Sequence, residues 1–438
     1  MKAALLVSSL IFAQAVPAPD GLPQQHPLGH VTQSRGQSKP GFWPSGLMSS
    51  TASNAVDQTV EAFESALEAA QRAASRLSHR LEAALDEHGD GGHKHRDWSG
   101  KTIYQQIHAC KYTSRFAKLV DKYPDIVKLL NGTHRDSNIT LFVPVDKAFE
   151  DPHRGHKHYD DDDKEATEKL LRYHIGIGEY PALRILATNT LPTALHQERL
   201  GGDAQRLRTS VGLGGVEVNF YSKVVAADFK ASNGIIHGVN HILAPPPPVG
   251  LLLTAFPSHF STLLLAYEKT DFVNFVHGVH MPGGSTVFAP SNGAFTRLGE
   301  KTNSFLFNTG SGRKYLSALL KYHIVPNATL YSDAYYDHVD SETKPLASRR
   351  EHYDLTTLLG DSRVSADVLR WAGFAFFRIN GFAHVSVRDG VAGNGVVQVL
   401  DSVLIPPHKH SATATDNDSD TAGSMDVEEL KARLEPYL

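Results

Sequence analysis

The chain has 438 residues, 41% hydrophobic and 21% charged, with a formal net charge of −4. That length suits two or three domains, and the slightly acidic balance weighs against a nucleic-acid binder, which needs a basic footprint. The single cysteine, Cys110, excludes an internal disulfide, so each core must be stabilised by burial alone.

The chain begins MKAALLVSSLIFAQAVPAPDG, with Lys2, an apolar run from Ala3 to Ala13, and a small-x-small site at Ala13-Gln14-Ala15. Residues 1–15 therefore read as a secretory signal peptide, too short to span a bilayer. No later run reaches the roughly 18 apolar residues of a membrane helix. The final DVEELKARLEPYL lacks the hydrophobic tail of a GPI signal. These features predict a soluble protein of the secretory route. Asn131, Asn138, Asn327 and Asn417 each open an N-glycosylation sequon suited to that route. Asn138 opens a predicted core strand and is the least favourable of the four. Cys110 reads as a buried small hydrophobe, with intermolecular pairing as the alternative.

Residues 16–50, rich in Pro, Gly, Gln and Ser, read as a disordered leader. Over 51–89 apolar residues recur at spacings of four and three: Val56, Val60, Phe63, Leu67, Ala70, Ala74, Leu77, Leu81 and Ala84, ended by Gly89. This predicts one long amphipathic helix. It either packs on its own domain or self-associates through Val56, Val60, Phe63, Leu67, Leu77 and Leu81. HGDGGHKHRDW (88–98) reads as a histidine-rich hinge. TIYQQI (102–107) and YTSRFAKLVDKYPDIVKLL (112–130) have helical spacing, and TLFVPVDKAF (140–149) reads as a strand and turn. EKLLRYHIGIGEY (168–180) is a helix running into a strand. Short strands fill 205–243, and APPPP (244–248) closes the unit as a short, stiff link that favours a fixed geometry.

The same order then recurs as STLLLAYEKTDFVNFV (261–276), TVFAPSNGAF (286–295) and SALLKYHIVPNATLY (317–331). The window 379–404 aligns with 218–243 without a gap, at a constant offset of 161. Asn219 meets Asn380, Asp228 meets Asp389, and Asn233-Gly234 meets Asn394-Gly395. A constant offset through a turn and two strands requires equivalent backbone, so the chain contains two copies of one domain. Residues 409–438 read as an acidic, Ser/Thr-rich, disordered tail with a short amphipathic end.

The duplicated T-[LV]-F-x-P strand with its Ala-Phe turn, the Tyr-His box after a helix, and the final N-G-[IV]-[IV] strand resemble the fasciclin (FAS1) domain. The resemblance covers 98–408 and places one domain at 98–248 and a second at 249–408. It implies an α+β fold: two FAS1 domains, each a β-sandwich or wedge with packed helices, preceded by the long amphipathic helix. It further implies an extracellular or surface-bound protein serving cell adhesion or matrix association, with vacuolar forms as the alternative; tandem members are typical of fungi. Repeat 1 diverges more. Its loop EDPHRGHKHYDDDDK (150–164) is long and charged, and it shows no clear match to LTTLLG (355–360). The second repeat carries a long insertion at 337–354.

The Tyr-His pairs, Tyr173-His174 and Tyr322-His323, end helices whose apolar face the histidine shares: Thr167, Leu170, Leu171 and His174, and Leu316, Leu319, Leu320 and His323. A buried imidazole there would donate to a backbone carbonyl and fix a chain crossing. In some animal members this neighbourhood resembles an integrin-contact site, which makes Tyr173, His174, Tyr322 and His323 candidates for contact with a protein or glycan partner. Asn-Gly at 233–234 and 394–395 marks tight turns. His153, His156 and His158 with the aspartates after them would suit a divalent cation, but at no regular ligand spacing; a solvated loop is the plainer reading. No GxSxG, HExxH, CxxC or GxxxxGK[ST] motif occurs, and the HRD triplets at 95–97 and 134–136 lack the rest of a kinase signature. No catalytic, cofactor or metal site is assigned from the sequence.

Overall fold

The computed structural model describes residues 32–33, 100–132, 138–150, 163–186, 188–212, 215–270, 272, 283–333, 349–360, 362–371, 374–407 and 425–438. The predicted signal peptide, the stretch 51–89 expected to be helical with Val56, Val60, Phe63, Leu67, Leu77 and Leu81, the histidine-rich segments at 88–98 and 151–162, and Asn417 lie outside the described residues.

Repeat 1 opens with helices α1 (Ile103–Ala109), α2 (Ser114–Val120) and α3 (Pro124–Asn131). Thr102 starts α1 with a capping box, its hydroxyl accepting from the Gln105 amide while Gln105 accepts from the Thr102 amide. The helix expected over 112–130 is split, because Pro124 has no N–H to continue a helix and instead takes the first turn of the next. Ile103, Ile107, Phe116, Val120, Ile126 and Leu130 pack with Ile139, Leu141 and Val143 of the sheet. Cys110 is half-buried at the end of α1, not enclosed as the sequence suggested.

Strand β2 (Ile139–Pro144) is buried along its whole length. It lies parallel to β8 (Gly234–Val239) and antiparallel to β3 (Ile175–Ile177), and a strand so enclosed reads as a continuous apolar run. With β4 (Thr190–His196), β5 (Ala204–Gly212), β6 (Gly215–Val218) and β7 (Ser222–Ala231) the sheet closes on itself. Helices α4 (Lys164–Tyr173) and α5 (Ala182–Leu186) complete the repeat.

Repeat 2 adds α6 (Val249–Thr254), α7 (Pro257–Lys269), α8 (Asn292–Leu298), α9 (Glu300–Asn308) and α10 (Gly310–Tyr322). Its strand β9 (Ser285–Pro290) again runs parallel to the last strand, β15 (Gly395–Leu400), and antiparallel to β10 (Ile324–Pro326). The remaining strands are β11 (Arg349–Thr356), β12 (Arg363–Trp371), β13 (Phe374–Ile379) and β14 (Ala383–Ala392). Bulges in β7 at Val224, Ala226 and Phe229 recur in β14 at Val385, Val387 and Gly390, preserving the offset read from the sequence. Positive φ recurs with them: Asn219 and Asn380 at 53° and 51°, Asp228 and Asp389 at 64° and 58°.

Three segments depart from the sequence reading. Thr32–Gln33, inside the stretch read as a disordered leader, forms β1 and pairs antiparallel with Tyr353 and Asp354 of β11. Residues 425–438 of the tail are ordered: α11 (Val427–Leu434) buries Leu430 and Leu434 in the core of repeat 2, and Thr302 Oγ1 donates to the Met425 carbonyl at 2.5 Å. Burying two leucines is worth about 1.5–3 kcal/mol each, which contributes to holding the strap on repeat 2. Repeat 1 also has an LTTLLG counterpart, LPTALH at 191–196. Thr193 Oγ1 donates to the Gln205 carbonyl as Thr357 Oγ1 does to Ser362, and each hydroxyl accepts from the amide two residues on.

The Asn-Gly turns owe their glycine to the parallel pair. A Cβ on Gly234 would strike the Ile139 carbonyl, and one on Gly395 the Ser285 carbonyl. Gly395→Ala should therefore cost about 3 kcal/mol, read as a lower urea midpoint; an unchanged midpoint would show that the two strands separate without penalty.

Candidate functional site

The two Tyr-His pairs sit where a helix ends and the chain turns into the sheet. His174 and His323 occupy the residue after α4 and α10, and all four side chains are enclosed, with at most 2% of any of them exposed. His323 Nδ1 faces the Leu319 carbonyl at 2.8 Å, while Nε2 accepts the Leu404 amide at 2.9 Å. His174 repeats this with the Leu170 carbonyl at 2.8 Å and the Leu243 amide at 3.0 Å. Because Nε2 must accept, the proton sits on Nδ1 and the ring is neutral. Burial pushes the His323 imidazole down to about 4, partly countered by the Leu319 bond.

The tyrosines tie the same corner to the sheet. Tyr173 Oη donates to the Arg206 carbonyl at 3.1 Å and accepts from Asn219 Nδ2 at 2.8 Å. Tyr322 does the same with Arg363 and Asn380, at 3.0 and 2.8 Å. The sequence pairing of Asn219 with Asn380 therefore has one physical meaning in both repeats. Asn233 and Asn394 each accept from the first amide of their repeat's leading helix: Ile103 at 2.9 Å and Val249 at 2.8 Å. Asp228 accepts from the Ala182 amide and Asp389 from the Ser332 amide, both at 2.8 Å. Asp389 is fully buried, also bonded to Ser332 Oγ and Gln398. Burial, with the nearby charge of Asp333, pushes its carboxyl up.

A junction that the sequence did not announce joins the repeats. Asp333 accepts the Asn189 and Thr190 amides at 2.8 and 2.7 Å and the Thr190 hydroxyl at 2.5 Å. Arg206, 6% exposed, donates to that hydroxyl at 2.7 Å and lies over the Tyr331 ring. Arg208 Nε donates across the junction to the Arg388 carbonyl at 2.9 Å. The proline link is held too, because the Gly393 amide donates to the Pro247 carbonyl at 2.9 Å. No short motif marks Asp333, since the amides it accepts lie more than 140 positions away.

Of the sequon asparagines, Asn131, Asn138 and Asn327 are exposed. Asn131 accepts from Thr102 Oγ1 at 2.7 Å, and Asn138 donates to Glu179 at 2.8 Å. Among the described residues no group of three or more His, Cys, Asp or Glu side chains is placed to hold a metal ion. His153, His156 and His158 lie outside them. No described helix is long and apolar enough to cross a membrane.

The fasciclin domain model matches this sequence twice, over residues 111–245 and 258–406. The chain belongs to the fasciclin family. It is 28% identical over 361 residues to aurofusarin biosynthesis cluster protein S of Gibberella zeae, covering 77% of this chain and 86% of that protein. It is 24% identical over 319 residues to a fasciclin-like arabinogalactan protein of Arthroderma benhamiae, covering 70% of this chain and 67% of that one. Transforming growth factor-beta-induced protein ig-h3 of Oryctolagus cuniculus is 27% identical over 298 residues, and there the matched region spans only 37% of the relative. A FAS1 domain pair from the insect cell adhesion molecule fasciclin I is similar at 17% identity and a TM-score of 0.34, covering 66% of this chain and 96% of that one.

Three outcomes follow from this geometry. His323→Ala leaves the Leu404 amide without an acceptor and should lower stability by about 3 kcal/mol. In the intact protein the unfolded ring takes up a proton below about 6.5, whereas the folded ring does so only near 4. Stability from the neutral ring is therefore present above pH 6.5 and is lost as pH falls from 6.5 to 4, by up to about 1.4 kcal/mol per unit. Urea titrations at pH 7, 6 and 5 check both, and His323→Gln should flatten the slope. At the junction, Asp333→Ala should cost about 2 kcal/mol and speed hydrogen exchange at the Asn189 and Thr190 amides; unchanged protection there would mean the carboxylate does not hold the repeats.

Proposed function

We propose that this fasciclin protein is secreted and glycosylated at some of Asn131, Asn138, Asn327 and Asn417, and that it acts without catalysis as an adhesion or matrix-association module of the cell surface or wall. The observation that carries this reading is the junction at Asp333, Arg206 and Thr190, which presents two equivalent domains in one orientation. Two fixed surfaces on one chain multiply weak contacts, since the second contact forms at high effective concentration. The domains extend over 98–248 and 249–408, as the repeat boundaries suggest. Partner contact near Tyr173-His174 and Tyr322-His323 falls to the exposed residues around those enclosed pairs.

A second reading is favoured by the Gibberella zeae relative, which matches over most of its length and whose name places it in a biosynthesis cluster. In that role the same paired domains would hold other proteins of a biosynthetic assembly together.

Beads coated with the full secreted, glycosylated protein should cluster and should retain cell-wall or matrix preparations. Beads coated with a chain lacking 50–90 would separate self-association by that segment from recognition by the domains. Absence of clustering and retention in both cases would end the adhesion reading, and the lumenal or biosynthetic role would be pursued instead.

A further inference from the structure

The last helix before each Tyr-His pair can be compared residue by residue, because Tyr173 and Tyr322 occupy the same corner. In repeat 1 the outer face of α4 pairs two of its three cations with carboxylates, leaving Lys164 at the position of Arg313. Glu165 pairs with Lys169 at 2.5 Å, and Glu168 pairs with Arg172 at 2.7 Å. In repeat 2 the positions matching Glu165 and Glu168 hold Lys314 and Ser317, and the position of Arg172 holds Lys321. Both carboxylates are gone, and the outer face of α10 carries Arg313, Lys314 and Lys321.

This stripe forms one wall of an open cleft of about 620 Å³, completed by Lys269 and Thr270 at the end of α7 and by Tyr437 and Leu438 of the C-terminal strap. That size lies within the roughly 300–1,000 Å³ of ligand sites. No acidic side chain lines it, and the Leu438 α-carboxylate is the one anionic group among the lining residues, set against four cations. Lys269, Arg313, Lys314 and Lys321 are exposed, and none is ion-paired among the described residues. Four cations gathered in one cleft of a chain whose net charge is −4 form a local field opposite in sign to the whole.

We propose that this cleft binds an acidic polysaccharide. Arg313 and Lys321 are eight residues apart on one helix, about 12 Å along its axis, a separation suited to successive anionic groups on a chain. Between them the Ser317 and Thr270 hydroxyls and the Tyr437 ring offer hydrogen bonds and a stacking face for sugar rings. The site belongs to repeat 2 alone. The inference deepens the matrix-association reading by naming a ligand class, but binding is read on single molecules in solution, so its failure leaves bead clustering untouched and the reverse also holds.

The test uses the full protein and fluorescent dextran sulfate, with neutral dextran of equal length as control. The wild type should bind dextran sulfate and not dextran, weakening at least tenfold between 50 and 200 mM salt as counterion release demands. The triple variant Arg313→Glu, Lys314→Glu, Lys321→Glu should bind at least tenfold more weakly at 50 mM salt with an unchanged thermal melt. Lys314→Glu alone gives the same comparison with less perturbation should the triple variant melt early. The matching repeat 1 variant Lys164→Glu, Arg172→Glu should bind as the wild type does. Wild-type protein that ignores dextran sulfate, repeat 2 variants that bind it normally, or an equal loss from the repeat 1 variant would each overturn the proposal. So would binding to phosphatidylserine vesicles in place of dextran sulfate, which would make the cleft a lipid site.

Discussion

Each repeat is held closed by one uncharged imidazole. The ring spans the end of a helix and the amide of the segment after the last strand, residues 81 apart in repeat 2 and 69 apart in repeat 1. Within reach of His323 the chain also forms β9, since the Phe288 amide donates to the His323 carbonyl at 2.9 Å. Three distant segments therefore meet at a single residue. A charged ring would set a donor against the Leu404 amide in a site without water contact, so the crossing depends on neutrality.

The two repeats share this frame and differ in what covers their edges. Thr193 and Thr357 occupy the same turn, so Asn189 and Thr190 match Tyr353 and Asp354. In repeat 1 these backbone positions are met by the Asp333 carboxylate of the following repeat. In repeat 2 the equivalent positions are met by the strand at Thr32–Gln33. An uncovered strand edge invites unwanted pairing, and this chain covers the same edge by two different means. Asp333 also fixes the orientation of the repeats, which makes edge protection and domain geometry one interaction.

The two repeats combine a shared frame with unlike surfaces. The enclosed Tyr-His corners are alike. The outer faces are not alike: one holds two of its cations in i,i+4 pairs, and the other leaves its cations facing a cleft. A tandem protein of this kind gains fixed geometry from its junction and distinct surface chemistry from its second repeat.

The sequence by itself determined that there are two copies of one domain, which segments correspond, and where the backbone turns. Those are local properties: β2 and β9 show as apolar runs, His174 and His323 as members of a helix face, and Asn-Gly as a turn. It also placed the asparagines that Tyr173 and Tyr322 use, though without their partners. Tertiary structure alone decided that LPTALH matches LTTLLG, because the shared feature is a threonine hydroxyl bonded to a strand and not a run of identical residues. It decided the docking of α11, whose two buried leucines give too short a pattern to distinguish from a solvated tail. It decided the junction, because a carboxylate that accepts backbone amides more than 140 residues away leaves no periodicity to read. The cationic cleft was half visible: Lys314 and Ser317 stand where repeat 1 has Glu165 and Glu168. Only the packing of α7, α10 and the strap brings Lys269 to the same opening, since contact between separate elements is a property of the fold and not of spacing along the chain.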